Sequence, residues 1–81
     1  MRLLPVALAM TSLAAPALAQ SLPPANGLPL SQVIASVEKT QPVRVFTEIE
    51  WDDDGYWEVE YRTTEGGEVE IRVDPVTGQN R

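Results

Sequence analysis

Strict alternation that runs straight into a corner constrains this chain more than any other feature. In Gly67-Glu68-Val69-Glu70-Ile71-Arg72-Val73-Asp74-Pro75-Val76-Thr77-Gly78, the apolar Val69, Ile71 and Val73 fall on one side and Glu68, Glu70 and Arg72 on the other. Successive side chains of a strand point to opposite faces, so this run is a strand with one buried and one wet face. Its end is built in. The Asp74 carboxylate can accept from backbone N–H groups of the turn, Pro75 presets φ, and Gly78 can take the left-handed conformation.

Two more strands carry the same signature. Val43, Val45, Thr47, Ile49 and Trp51 alternate with Arg44, Phe46, Glu48 and Glu50, and after Asp52-Asp53-Asp54-Gly55 the alternation resumes with Trp57, Val59 and Tyr61. The acidic turn with Gly55 joins a hairpin that sets Glu50 near Glu58 and Glu48 near Glu60. The second join is Thr64-Glu65-Gly66-Gly67. Inward positions are odd-numbered on both strands, so opposed residues sum to an even number and the loop holds an odd count. Pairing Thr64 with Glu68 leaves Glu65-Gly66-Gly67 as a three-residue turn with Gly67 left-handed. That register opposes Arg62 to Glu70 and Glu60 to Arg72; the neighbouring one would oppose Glu60 to Glu70, a like-charge pair.

Ahead of the strands, Leu30, Val33, Ile34 and Val37 recur at helical spacing, with Ser31 as the expected N-cap. Pro42 disfavours helix at the residue before it, so the helix ends by Gln41. About three turns do not persist in water without packing on something. The fold class expected is therefore α+β, one helix packed on a three-stranded antiparallel sheet over residues 30–81. Residues 20–29, with three of the seven prolines and no charge, read as a flexible leader.

Residues 1–19 give Met-Arg, an apolar stretch from Leu3 to Leu13, then Ala17-Leu18-Ala19. This is the pattern of a secretory signal peptide cleaved after Ala19, which implies an exported protein, periplasmic in a Gram-negative cell. The stretch is interrupted by Pro5, Thr11, Ser12 and Pro16 and is too short for the ~20 apolar residues of a membrane span. Its removal takes Arg2 and none of the twelve acidic residues. With a formal net charge of −6 already in the whole chain, nucleic acid and anionic membranes are disfavoured partners, and basic protein surfaces or cations fit better.

There is no cysteine, so nothing covalent staples the fold, and there is no histidine. The usual general base, the thiol nucleophile and nearly all zinc sites are thereby missing, and Ser21 and Ser31 have no base beside them. Carboxylates on a solvent-washed strand surface lack the enclosure that raises pKa values for acid catalysis. The reading is a non-enzymatic chain without a cofactor. Its concentrated chemistry is an acidic face, Glu48, Glu50, Glu58 and Glu60, with Asp52, Asp53 and Asp54 at the edge. Glu50, Asp52, Asp54 and Gly55 match positions one, three, five and six of an EF-hand loop, but position twelve is Tyr61 where a bidentate Glu is required. Turn-forming and solubilising roles for the same residues, a basic protein partner, and a cation response all remain open on the residues alone.

At this point a resemblance can be stated. The helix beginning Leu30-Ser31 and ending before Pro42, the strand, the acidic turn, Tyr56-Trp57-Glu58-Val59-Glu60, the glycine turn, and Glu68 to Asp74 followed by Pro75-Val76-Thr77-Gly78 resemble a PepSY domain over residues 28–79. The resemblance implies a mainly structural use of the Trp57-x-Val59 step and the Asp74 to Gly78 ending, beside the turn roles that Gly55 and Gly67 have by geometry, and no catalytic residue. It also implies a module that inhibits or regulates a peptidase. Two features depart from the family pattern: no peptidase domain follows, so inhibition would act in trans, and Gln79-Asn80-Arg81 takes the place of a further apolar residue or short strand. The alternative is a calcium-responsive or structural accessory protein of the cell envelope that uses its acidic face on a basic partner.

Overall fold

The computed structural model describes residues 21–81; the apolar segment 1–19 and its cleavage site lie outside them. Helix α1 spans Leu30–Thr40, and strands β1 (Val43–Asp52), β2 (Tyr56–Thr63) and β3 (Glu68–Val73) follow. The strands form one antiparallel sheet in the order β1-β2-β3, and α1 lies on one face of it. This is the α+β architecture that the alternation and the helical spacing require.

Val33 and Val37 are the buried stripe of α1, four residues apart on one side of the helix. They close over Val59, Tyr61 and Val73, with Leu28, Val43, Phe46, Trp57, Val69 and Ile71 packed around this cluster. Leu30, assigned to the same stripe from spacing, sits in the first turn and is 38% exposed. The helix begins differently from expectation as well. Pro29 is the N-cap, with φ −56° and no side-chain cap, and its carbonyl accepts from the N–H groups of Gln32 (2.8 Å) and Val33 (3.1 Å). Ser31 lies inside the helix and caps nothing. Proline's fixed φ already suits the entry to a helix, so the serine is not needed there. At the other end Gln41 turns to extended backbone ahead of Pro42, and its side-chain Oε1 accepts from the buried Tyr61 hydroxyl at 2.7 Å.

Strand β1 corrects the simple alternation. Val43 pairs with Thr63, Val45 with Arg62, Phe46 with Tyr61 and Glu48 with Glu60, with register shifts between Val43 and Val45 and between Phe46 and Glu48. Each shift leaves one residue unopposed and reverses the faces of those beyond it. Phe46 therefore turns to the core, edge-on to Tyr61 with ring centroids 6.3 Å apart. Val45 turns outward and is 49% exposed, and Thr47 is exposed. An aromatic ring buries more apolar area than a valine, which favours the bulged arrangement. Glu48 onward is regular again.

The β2–β3 register is the one that the charge argument had set aside. Arg62 opposes Glu68, Glu60 opposes Glu70, and Glu58 opposes Arg72. The loop is Thr64-Glu65-Gly66, and the left-handed residue is Gly66, at φ +92°, in place of Gly67. The turn chemistry decides the matter. The Thr63 N–H donates to the Gly67 carbonyl at 2.8 Å, the Gly67 N–H donates to the Thr63 hydroxyl at 2.9 Å, and an Arg62 N–H donates to the Gly66 carbonyl at 3.1 Å. A like-charge pair in water costs less than these bonds together supply.

Beyond β3 the chain folds back. Asp74 Oδ1 accepts from the N–H groups of Val76 (2.8 Å) and Thr77 (2.9 Å), and Gly78 takes φ +76°. Asn80 then bridges Val73, and the Arg81 N–H donates to the Arg72 carbonyl at 2.8 Å. The Gln79-Asn80-Arg81 ending thus lies along part of the β3 edge. Residues 21–29, read from their prolines as a flexible leader, touch the domain at two places. The Leu28 N–H donates to the Pro75 carbonyl at 2.8 Å, and the Ser21 hydroxyl bonds both Trp51 and Asp53.

Candidate functional site

The face of the sheet opposite α1 assembles the acidic residues into rows. Across the three strands, Glu48, Glu60 and Glu70 stand in one row, and Glu50, Glu58 and Arg72 in the next. Directly opposed side chains lie about 5 Å apart at Cβ, close enough for their charges to interact. Glu58 and Glu60 are held above the ordinary glutamate value: partial desolvation is the largest cause for each, followed by Glu70 for Glu58 and by Glu48 and Glu70 for Glu60. Arg72 works against the shift at Glu58. A third row toward the second hairpin places Arg62 3.8 Å from Glu68, with both side chains well exposed.

The edge of this face is formed by the first hairpin. Asp52 ends β1, its carboxylate accepts from the Asp54 N–H at 2.8 Å, and its carbonyl accepts from the Gly55 N–H at 2.9 Å, with Gly55 at φ +102°. Asp52 is therefore engaged in shaping the turn. Asp53 accepts from Ser21, and Asp54 is exposed, with no side-chain bond among the described residues. Next to the turn, the buried Tyr56 ring on the wet face lies under two guanidinium groups, Arg72 at 5.0 Å and Arg81 at 5.2 Å from its centroid. Burial is the main reason that the Tyr56 hydroxyl is held above its ordinary pKa.

All seven acidic residues singled out from sequence lie on this face or its rim, and the structure adds Glu68 and Glu70. Alternation already puts both on the wet side of β3; the observed register sets Glu70 against Glu60 and Glu68 against Arg62. With Val69 and Glu60 they line an open notch of about 220 Å³. The EF-hand spacing has no structural counterpart, since Glu50 and Asp52 belong to a strand. Among the described residues, no three His, Cys, Asp or Glu side chains gather as a metal site. The arrangement offers no enclosed carboxylate pair and no nucleophile beside a base. Its capability is to hold positive charge at a flat, wet surface.

On the opposite face, Trp51 and Trp57 meet edge-on with centroids 5.3 Å apart. Trp57 leans on the core and its buried indole N–H has no partner among the described residues, whereas the Trp51 N–H donates to the Ser21 hydroxyl at 3.1 Å. This pair extends the apolar layer toward the β1 end and is not a free aromatic platform.

No curated protein and no solved structure gives a significant match to the chain. A family model does, that of the peptidase propeptide and YPEB domain, and it spans residues 3–80, further toward the N-terminus than the motifs that suggested the likeness. With the helix-on-sheet fold and the Asp74–Gly78 corner in place, that match over nearly the whole sequence makes the chain a member of the PepSY family.

Proposed function

We propose that this chain is an exported, non-catalytic PepSY module that binds and modulates a peptidase, with the acidic face of its sheet as the contact surface. The observation that carries the reading is the Glu48–Glu60–Glu70 row, three carboxylates side by side with no cation among them. Family membership supplies the connection to peptidases. Charge of this density steers basic surfaces and repels acidic ones over a Debye length of ~8–10 Å, which sets partner choice more than raw affinity. The partner is thus a peptidase with a basic rim around its cleft. The export signal read in residues 1–19, with cleavage after Ala19, would deliver the module to the periplasm of a Gram-negative cell. Intact-mass analysis of the secreted protein then shows Gln20 as the first residue, and uncleaved material in washed membranes would contradict it.

The deciding experiment titrates the protein against a panel of exported peptidases while following cleavage of a fluorogenic peptide. The expected result is a saturable change in rate that weakens as salt is raised. The Glu48→Gln, Glu60→Gln, Glu70→Gln triple variant should fold and lose the effect. No change in rate at large excess over any of the peptidases sinks the proposal.

A further inference from the structure

The two edges of the sheet are treated differently. The β3 edge is partly closed by the returning chain, through the Val73–Asn80 bridge, the Asp74 N–H to the Gln79 carbonyl and the Arg81 N–H to the Arg72 carbonyl, the last two each 2.8 Å. The β1 edge is paired with no other strand among the described residues, although β1 is the longest strand. A bare edge presents its N–H and C=O groups to any extended chain, and folds that need to avoid this blunt it with bulges or charge. The bulges of β1 protect only its first half, between Val43 and Glu48. From Glu48 to Asp52 the strand is regular, about 16 Å of uninterrupted edge at ~3.3 Å per residue.

That stretch also has two chemically distinct sides. Glu48, Glu50 and Asp52 project to the wet face, while Ile49 and Trp51 project to the α1 face. Ile49 is 36% exposed and Trp51 half-buried, an apolar shelf that α1 does not cover and that the segment before α1 touches through the Ser21 hydroxyl on the Trp51 N–H. We propose that the β1 edge from Glu48 to Asp52 receives an extended partner segment in which basic and apolar residues alternate, so that its backbone continues the sheet. Its basic side chains extend the Glu48 and Glu50 rows, and its apolar ones lie against Ile49 and Trp51. This rests on the functional reading above and specifies where and in what conformation the partner is held. Backbone pairing supplies affinity and the alternating side chains supply selection. A second copy of this chain is the wrong occupant. Two β1 edges brought together would crowd Glu48, Glu50 and Asp52 of both copies, in a protein already at −6.

The test uses the full exported protein and a synthetic peptide, acetyl-(Lys-Val)-(Lys-Val)-(Lys-Val)-Lys-amide, followed by amide chemical shifts and hydrogen exchange. The expected result is saturable binding in which the amides of Glu48 to Asp52 shift and the outward-facing ones gain protection. N-methylation of alternate peptide residues, which keeps the charge and removes the backbone donors, should weaken binding at least tenfold. A block isomer with all lysines first should weaken it similarly. In the folded variant Glu48→Lys, Glu50→Lys, preference should pass to the matching Glu-Val peptide. Equal binding of the N-methylated peptide, with shifts spread over Glu60, Glu68 and Glu70, overturns edge pairing and leaves the acidic-face function standing. Absence of saturable binding overturns the proposal, as does self-association that protects the same β1 amides without peptide. Edge pairing without any effect on a peptidase instead removes the functional reading alone.

Discussion

Val59→Ala puts the position of the core to a quantitative test. Val59 is 0% exposed at the middle of β2, opposed by Ile49 on one side and Ile71 on the other, beneath Val33 and Val37. The change removes two methyl groups from full burial, which costs ~0.8 kcal/mol each in transfer free energy. If the neighbours relax only partly, a void of about 40 Å³ at ~24 cal/mol per Å³ contributes ~1 kcal/mol more. The loss is then ~2–3 kcal/mol, against a total stability of ~3–9 kcal/mol for a domain of this size. At ~4–8 °C per kcal/mol the midpoint of thermal unfolding should fall by ~10–20 °C. Ile49→Ala is the matched control, since Ile49 faces the same way but is 36% exposed; it loses three carbons that are only about two-thirds buried and leaves no closed void, so it should cost ~1.5 kcal/mol, less than Val59→Ala although it removes more. Both are measured by urea unfolding and thermal melts followed by circular dichroism. If the two substitutions cost the same, or Val59→Ala costs under ~1 kcal/mol, the core does not lie where α1 crosses β2 and β3.

Further outcomes follow from single contacts. Glu60→Gln should raise the melting temperature at neutral pH, because Glu60 has carboxylates opposite it on both neighbouring strands. The gain should shrink as salt is added. A folded-state pKa raised above the unfolded one favours folding below the unfolded value, and that benefit fades as pH rises through the folded value. The Glu58 and Glu60 shifts, upward from 4.5, thus make the parent more stable on mild acidification. Asp74 is lowered from 3.8, chiefly by the Thr77 and Val76 N–H groups, so its contribution is present above 3.8 and is lost at still lower pH. A monotonic fall in melting temperature from pH 7 to 4 would contradict the pair of signs. Gly78→Ala should destabilise clearly more than Gly66→Ala. Both residues have positive φ, but a Cβ at Gly78 would lie 3.1 Å from the Ser36 hydroxyl and 3.2 Å from Leu28, while at Gly66 it meets nothing within 4 Å. Tyr61→Phe should cost ~1 kcal/mol by removing the hydroxyl donor to Gln41, and an unchanged urea midpoint would count against that bond.

What could be read from the residues and what could not divide along a physical line. β3 was legible because its alternation and the Asp74–Gly78 corner are local, and the end of α1 was legible because Pro42 acts on its immediate neighbour. The faces of Val45 and Phe46 were not. They depend on two bulges, which exist because the Phe46 ring finds Tyr61 on the next strand. The β2–β3 register escaped for a related reason. A pairwise charge rule was weighed against no knowledge of the loop, while Thr63, Gly66 and Gly67 together fix the turn. Within the candidate site, the wet face of Glu48, Glu50, Glu58, Glu60, Glu68 and Glu70 followed from parity, whereas which charges Glu68 and Glu70 oppose depended on that register. The Tyr56 corner requires Arg81 to come back beside β3, and nothing local to Tyr56 signals it.

The acidic residues of this chain serve unequal ends, and the inequality bears on function. Asp74 stabilises the fold, since two backbone N–H groups hold its charged form. Asp52 does part of the same work in the first turn. The Glu48–Glu60–Glu70 row does the reverse: each charge raises the cost of its neighbour, and no cation stands in the row. A domain without disulfides has little stability in reserve, and replacing one of these glutamates by glutamine would relieve the repulsion without touching the core. Solubility alone does not call for the row, because the same charges spread over the helix and loops would keep the protein soluble without opposing folding. A local arrangement that works against stability is the usual mark of a surface shaped for contact. The row also adjoins the one strand whose outer edge is left open over Glu48–Asp52. The charged row and the open backbone of the proposed contact are therefore side by side, with the Ile49 and Trp51 shelf on the other face of the same edge.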